Sequence, residues 1–249
     1  MRRRFFVDRF ESDSAVLCDD AAEHLGRVLR AQPGQLYELS DGQHVWLGRV
    51  ERVELSKPGK SRVEFALVES IPAPAPRLQI DLLISLVKFD RLEWCLEKAT
   101  ELGTDRIVLL AAARTDRPLI AAAAKRHARW ERILLESAQQ SRRLRPPQLA
   151  PTIAPNEAFA ASSAAVTILL SERRTSASLR TVLAGVGGLA AKSPLTVTLA
   201  IGPEGGWTES ELAAAQASGF AEASLGDNIL RAETAVLAAL AILNFALSR

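Results

Sequence analysis

From residue 78 onward, apolar and β-branched runs alternate with helical segments, and no other feature of the sequence constrains the fold as strongly. Strands separated by helices predict a mostly parallel sheet, because each crossover helix returns the chain to the edge at which the previous strand began. A long helix is expected after Pro118, ending before Pro146. We predict five parallel strands, at residues 78–86, 105–112, 166–172, 195–202 and 222–226.

The segment IPAPAPR, residues 71–77, divides the chain unequally. Its three alternating prolines favour extended geometry and fit neither a helix nor a central strand. The shorter side carries β-rich runs, a hairpin turn predicted at Asp41–Gly42 and one short helix at residues 21–31. The sequence therefore predicts a β-barrel domain at residues 1–71, a linker at 72–76 and an α/β domain at 77–249.

Composition excludes several classes of protein. Of the 249 residues, 48% are hydrophobic, which suffices for a folded core. The most apolar segment, residues 235–243, is too short to span a membrane, and the basic N-terminus lacks the apolar region of a secretory signal, so we expect a cytoplasmic protein without membrane contact. Cys18 and Cys95 fall in different predicted domains, and the three histidines are not spaced as a ligand pair. We therefore expect neither a disulfide framework nor a metal site.

Positive charge is concentrated between Arg114 and Arg145, although the net charge of the chain is only +2. This segment holds nine basic and three acidic residues, which gives it a local charge of +6. Two interpretations stay open: a solvated helix with a charged face, or a surface that binds a polyanion.

Two glycine-containing motifs follow predicted strands: IGPEGGW at residues 201–207 and LGDNILRAETA at 225–235. Ligands of parallel sheets bind beyond the carboxyl ends of the strands, where glycine turns let backbone amides come close. Neither motif has the lysine and hydroxyl of a P-loop, which is therefore excluded. A third cluster, GVGG at 185–188, lacks a preceding strand and is interpreted as a loop. Thr208 and Glu211 form a predicted capping box directly after the first motif.

These motifs, together with DRLEWCLEKATELGTDRI at residues 90–107 and RWERILLESAQQSRR at 129–143, resemble the RsmE family of 16S rRNA uridine N3-methyltransferases. The N-terminal RRFFV and HLGRVLRAQPGQLYELSDG are similar to the PUA-like RNA-binding domain of that family, so the likeness covers nearly the whole chain. The resemblance implies an α/β fold of the SPOUT superfamily, in which a trefoil-knotted parallel sheet follows a PUA-like β-barrel.

The resemblance also implies that S-adenosylmethionine binds, in a bent conformation, in a pocket formed by the loops of the knot. An adenine ring needs apolar walls with backbone donors and acceptors, which aliphatic residues and glycine amides supply. Some of the aliphatic residues are expected to be ordinary core. The residues that match the cofactor segments of the family are Leu170, Ser171, Ile201, Gly202, Gly206, Leu225, Gly226, Ile229, Leu230 and Ala235.

Methylation of N3 of uracil requires loss of its proton, because the nitrogen lone pair is otherwise conjugated with two carbonyl groups. The site needs a proton acceptor and donors aimed at O2 and O4. Glu204 and Glu233 are candidate bases, and Arg231 and Arg143 are candidate charge stabilisers or phosphate anchors. Structural roles stay open for both glutamates: Glu204 as an acceptor for turn amides, and Glu233 as a cap of the last helix.

The candidate RNA contacts are basic residues of the predicted barrel and of the basic segment. The chain departs from the family pattern in two places. It reads QQSRR, with Gln139 in place of an acidic residue and Arg142 in place of the usual glycine, and AAART where Ser-Glu-Arg is common. The residues that recognise the base are therefore left open. The candidates are Arg2, Arg3, Arg4, Arg27, Arg30, Arg114, Arg126, Arg129, Arg142 and Arg145.

We therefore expect a methyltransferase that modifies a uridine of 16S rRNA, with the small ribosomal subunit as its partner. One alternative is an inactive RNA-binding or ribosome-assembly factor with the same fold, and another is methylation of tRNA or of a different base. A homodimer is also expected, because SPOUT enzymes that this chain resembles act as dimers. The last predicted helix, residues 231–247, is in addition apolar around most of its circumference.

Overall fold

A computed structural model describes residues 3–56, 60–73, 75–186 and 194–247. The chain forms two compact units. The first comprises Met1–Pro74 with Ala138–Pro146, and the second comprises Ala75–Ser137 with Pro147–Arg249. Arg2, and Gly187 and Gly188 of the GVGG cluster, lie outside the described residues.

The first unit is built on a five-stranded sheet in the order β1-β3-β4-β5-β2. β1 pairs with β3 in parallel, and the other pairs are antiparallel. The predicted hairpin is confirmed, since Ser40 pairs with Val45 and Gly42 has a φ of +87° in the turn between them. The strands are β1 (Arg4–Phe6), β2 (Ser14–Cys18), β3 (Leu36–Ser40), β4 (Val45–Glu54) and β5 (Arg62–Ile71).

The predicted short helix of this unit is also present, in two parts. α1 (Asp19–Glu23) continues into a π-helical turn, His24–Val28. The turn buries Leu25 against strand residues such as Phe5 and Phe65, which form the core of this unit. The helix thus covers the apolar face of the sheet.

The second unit contains a seven-stranded parallel sheet in the order β10-β12-β9-β11-β6-β7-β8. The five predicted strands are present, but the expected number was wrong, because β8 and β10 lie at the two edges of the sheet. β8 contains Pro151, which an edge strand tolerates, and β10 has only two residues. The strands are β6 (Leu78–Ser85), β7 (Thr104–Leu110), β8 (Gln148–Ile153), β9 (Val166–Leu170), β10 (Ala177–Ser178), β11 (Leu195–Ile201) and β12 (Ala221–Ser224).

Helices cover both faces of this sheet. The central strands alternate between two apolar clusters: Leu82 and Ile84 face one cluster, and Leu83 faces the other. A parallel sheet buried on both faces leaves its carboxyl edge as the place for a ligand. The helices are α2 (Phe89–Glu101), α3 (Arg117–Gln140), α4 (Pro155–Ala160), α5 (Leu179–Ala184), α6 (Glu209–Ala217) and α7 (Ala232–Leu247). Among the residues that the structure describes, no helix has the length and apolar character needed to cross a membrane.

Candidate functional site

A cleft of about 470 Å³ opens at the carboxyl edge of the parallel sheet. Its walls are the loops that follow β9, β11 and β12, and its volume is within the range of small-molecule sites. The structure brings together in this cleft all of the residues that the sequence suggested as cofactor contacts: Leu170, Ser171, Ile201, Gly202, Gly206, Leu225, Gly226, Ile229, Leu230 and Ala235.

Trp207 joins two of these loops. Its indole Nε1 donates a hydrogen bond to the Leu170 carbonyl at 2.9 Å. The indole packs against Gly202, where an added Cβ would come within 2.9 Å of Trp207 Cε2. Because the indole is fixed by its own hydrogen bond, only glycine fits at position 202 without displacing a wall of the cleft.

Gly206 completes the tight turn of the first motif. It has a φ of +72°, a conformation that side chains rarely adopt, and its amide donates to the Pro203 carbonyl at 2.8 Å. A Cβ at this position would also meet Glu172 Oε1 at 3.2 Å. The turn therefore brings bare backbone to the wall of the cleft.

The predicted capping box of α6 is confirmed, and its Glu211 makes a further contact that the sequence did not indicate. Glu211 is buried, and its Oε2 accepts hydrogen bonds at 2.8 Å from both the amide and the hydroxyl of Thr208. Its Oε1 accepts the amide of Ala113 at 2.8 Å, and the next residue, Arg114, donates from Nη1 to the Gly205 carbonyl at 2.8 Å. Glu211 thereby ties the loop after β7 to the first glycine motif.

The two candidate bases share one counter-ion, Arg91 of α2. Arg91 Nη1 donates to Glu204 Oε1, and Arg91 Nε lies 3.8 Å from Glu233 Oε1. Sequence reasoning missed Arg91. A signal was present, because a cation in the first turn of a helix is disfavoured by the helix dipole and so suggests an acidic partner.

Cys95 lies one turn further along α2 and is fully buried. Burial, with a smaller contribution from the negative charge of Glu233, raises the pKa of the Cys95 thiol to about 12. Cys95 is therefore a neutral thiol in the core, and it supplies neither a nucleophile nor a metal ligand at neutral pH.

Arg231 lies in the lining of the cleft, beside Leu230. Arg143, the other candidate charge stabiliser, belongs to the first unit, where its amide donates to the Ala138 carbonyl at 3.0 Å. No group of three or more histidine, cysteine or acidic residues is arranged to hold a metal ion within the described ranges.

Comparison with known proteins gives the family of this chain. The family model of the RNA methyltransferase domain matches residues 74–244. A ribosomal RNA small subunit methyltransferase E of Synechocystis is 35% identical over 224 residues, 89% of this chain and 69% of the relative. The chain belongs to this methyltransferase family. A Mycobacterium tuberculosis protein of the same name is 29% identical over 253 residues, 98% of this chain and 92% of the relative.

Solved structures of methyltransferases share the fold. The ribosomal RNA small subunit methyltransferase E of Neisseria gonorrhoeae, bound to S-adenosyl methionine, superposes with a TM-score of 0.82 at 30% identity and 98% coverage of both chains. A Legionella pneumophila protein with the same bound cofactor gives a TM-score of 0.80 at 25% identity, covering 99% of this chain and 98% of that one. The predicted fold class is confirmed.

Four of the candidate RNA contacts of this methyltransferase form ion pairs with acidic side chains. Arg129 makes two hydrogen bonds of 2.7 Å to the carboxylate of Glu93, and Arg126 lies 3.7 Å from the same carboxylate. Arg4 and Arg142 both contact Glu38.

The other candidates differ in their partners. Arg114 lines the cleft, and Arg27 donates to the Ser56 carbonyl at 2.9 Å. Arg3, Arg30 and Arg145 are exposed. The basic segment is therefore partly neutralised by contacts that the sequence did not indicate.

Proposed function

We propose that this protein transfers a methyl group from S-adenosylmethionine to N3 of a uridine in 16S rRNA of the small ribosomal subunit. The observation that carries the proposal is the cleft at the carboxyl edge, whose lining combines two glycine motifs with aliphatic walls. Since rRNA is folded into ribosomes in the cytoplasm, the proposal also gives the protein a cytoplasmic location.

The residues of the cleft fit this cofactor. The backbone lines the cleft at Gly202, where a Cβ would collide with the Trp207 indole, and at Gly206, whose positive φ disfavours any side chain. Ile201 and Leu225 offer apolar walls for an adenine ring, next to backbone amides that can bond its edge. When bound, the cofactor supplies an electrophilic methyl group on a sulfonium sulfur.

The carboxylates of the cleft are the proposed proton acceptors. Removal of the N3 proton leaves negative charge on O2 and O4 of the ring, so an acceptor and nearby cations are both needed. Glu204 lines the cleft and is the stronger candidate, and Glu233 is paired with the same Arg91. Arg231 and Arg114, which also line the cleft, are the proposed donors to the two oxygens.

We propose that the protein acts as a homodimer through α7. Three large apolar side chains of this helix are exposed: Leu237 at 38%, Ile242 at 38% and Phe245 at 74%. Large apolar side chains grouped on one element are typical of protein interfaces. A second copy of this methyltransferase is the proposed occupant.

The decisive experiment uses small ribosomal subunits from a strain that lacks the gene. Purified protein and cofactor with a tritiated methyl group are expected to label these subunits, and mass spectrometry of the digested 16S rRNA is expected to find 3-methyluridine. Subunits that stay unlabelled, or a label on another base, would contradict the proposed substrate.

Calorimetry separates the enzyme from an inactive RNA-binding or ribosome-assembly factor. The enzyme is expected to bind S-adenosylmethionine at one site per chain. A protein that binds rRNA without binding the cofactor would be an assembly factor with the same fold.

A further inference from the structure

The turn that follows α3 contains a left-handed residue that is not glycine. Arg142 has a φ of +56°, and the amide of the next residue, Arg143, donates to the Ala138 carbonyl at 3.0 Å. A bond across six residues with a left-handed residue inside it is the Schellman motif of helix ends, which favours glycine because a Cβ crowds the backbone there.

Arg142 makes an ion pair that glycine has no side chain to form. Its Nη1 lies 3.4 Å from Oε1 of Glu38 on β3. The other oxygen of Glu38 accepts Nε and Nη2 of Arg4 on β1, at 3.1 and 2.9 Å. Glu38 is only 7% exposed, so a buried carboxylate joins two guanidinium groups within the first unit.

Ser40, two residues after Glu38 on β3, also forms a hydrogen bond to this turn. Its hydroxyl donates to the Leu144 carbonyl at 2.6 Å and accepts the amide of Gly42 at 3.1 Å. Residues two apart on a strand point to the same face, so Glu38 and Ser40 hold the turn at two points.

We propose that Glu38 is a positioning residue that, together with Arg4, clamps Arg142 and so holds residues 141–146 in the shape that presents Arg145 to RNA phosphates. The inference rests on the proposed function for the identity of the RNA. It gives Arg4 and Arg142, both predicted from the sequence as RNA contacts, a structural role. The clamp stabilises a turn for which glycine is otherwise the favoured residue.

If Glu38 acted only through its negative charge, Glu38→Gln would change the affinity for RNA in the opposite direction. Glu38 is a negative charge among arginines, so its replacement by neutral glutamine would raise affinity for a polyanion. With the clamp, Glu38→Gln lowers affinity, because glutamine has one acceptor oxygen and cannot serve both arginines.

Binding of a labelled 16S rRNA transcript by full-length variants tests the proposal. Glu38→Gln is expected to weaken binding about fivefold, the size of one lost net hydrogen bond. Adding Arg142→Gly is expected to recover most of this loss, although it removes a positive charge, because glycine adopts the left-handed conformation without a clamp. Glu51→Gln is the matched control, since Glu51 lies on the same sheet, pairs with Arg49 and is 49% exposed. The affinity of Glu51→Gln for the transcript is expected to equal or exceed that of the wild type.

Hydrogen exchange at the Arg143 amide measures how stably the turn is formed in the absence of RNA. Faster exchange in Glu38→Gln, and exchange at the wild-type rate in the double variant and in Arg142→Gly alone, are the expected results. Unchanged exchange in Glu38→Gln, an affinity that rises, or a double variant no better than Glu38→Gln would overturn the clamp. If the variants show the expected exchange pattern but the wild type neither binds the transcript nor methylates subunits, only the proposed function is contradicted.

Discussion

Arg91 is the shared ion-pair partner of the two candidate bases, Glu204 and Glu233. Its guanidinium contacts Glu204 and lies 3.8 Å from Glu233, although the latter is 142 positions away in the sequence. The structure thus ties both candidate bases to the first turn of α2.

Replacement of Glu204 by glutamine tests its role as the base. We expect Glu204→Gln to lower kcat by about tenfold or more, because the variant cannot accept the N3 proton. The measurement is transfer of a tritiated methyl group to subunits from the deletion strain. Glu157→Gln, an exposed change on α4 outside the cleft, is the control. Turnover of Glu204→Gln at the wild-type rate would exclude Glu204 as the acceptor.

The two cysteines are expected to differ sharply in reactivity. Cys18 is exposed, whereas Cys95 is buried with its pKa raised to about 12. Because the thiolate is the reactive form, iodoacetamide at pH 8 is expected to modify only Cys18 in the native protein and both residues in urea. Mass spectrometry reads the two sites, and rapid native modification of Cys95 would contradict the burial of its thiol.

Among the elements, the central strands were the most predictable. β6, β7, β9 and β11 each have consecutive buried apolar residues towards their carboxyl ends, because the parallel sheet buries both of their faces there. The edge strands β8 and β10 carry no such signal, since one is interrupted by proline and the other is too short for any periodicity.

The side-chain contacts of the cleft were less predictable than its glycine loops. The residue types of a glycine motif predict a turn locally, and the family resemblance then pointed to Gly202 and Gly206. The pairs formed by Arg91 with Glu204 and by Glu211 with Ala113 join residues about a hundred positions apart, and only the folded sheet brings them together. No local pattern contains that information.

The pairing of α2 with α3 gives a prediction about acid stability. The hydrogen bonds from Arg129 hold the pKa of Glu93 below its usual value, so the unfolded chain takes up a proton first as the pH falls. The stabilisation is complete above the unfolded pKa, about 4.3, and is lost as the pH falls through the lower folded pKa. Glu93→Gln is therefore expected to be less stable than the wild type at pH 7.

Urea unfolding at neutral and acidic pH measures this dependence. The stability difference between Glu93→Gln and the wild type is expected to shrink as the pH falls below about 4. Glu97→Gln, which removes an exposed partner of Lys98 on the same helix, is the control and is expected to change stability little at either pH. An equal deficit of Glu93→Gln at both pH values would show that the charge of Glu93 is not the cause.

At the scale of the whole molecule, the exposed apolar face of α7 predicts the oligomeric state. The wild type is expected to sediment at twice the mass of one chain. Phe245→Glu is expected to shift it toward the monomer, because the change places a charge on the most exposed large apolar side chain of α7. Val68→Glu, at a 51% exposed position of β5, is the matched control. A wild type that sediments as a monomer would contradict the proposed dimer.

Titration calorimetry with S-adenosylmethionine tests most directly whether the cleft at the carboxyl edge is the cofactor site. The wild type is expected to bind one equivalent per chain. Gly202→Ala is expected to weaken binding by at least about tenfold, because the new Cβ overlaps the Trp207 indole. Gly185→Ala, at the end of α5 and away from the cleft, is expected to bind as the wild type does. Absence of binding by the wild type, or unchanged affinity in Gly202→Ala, would contradict the account.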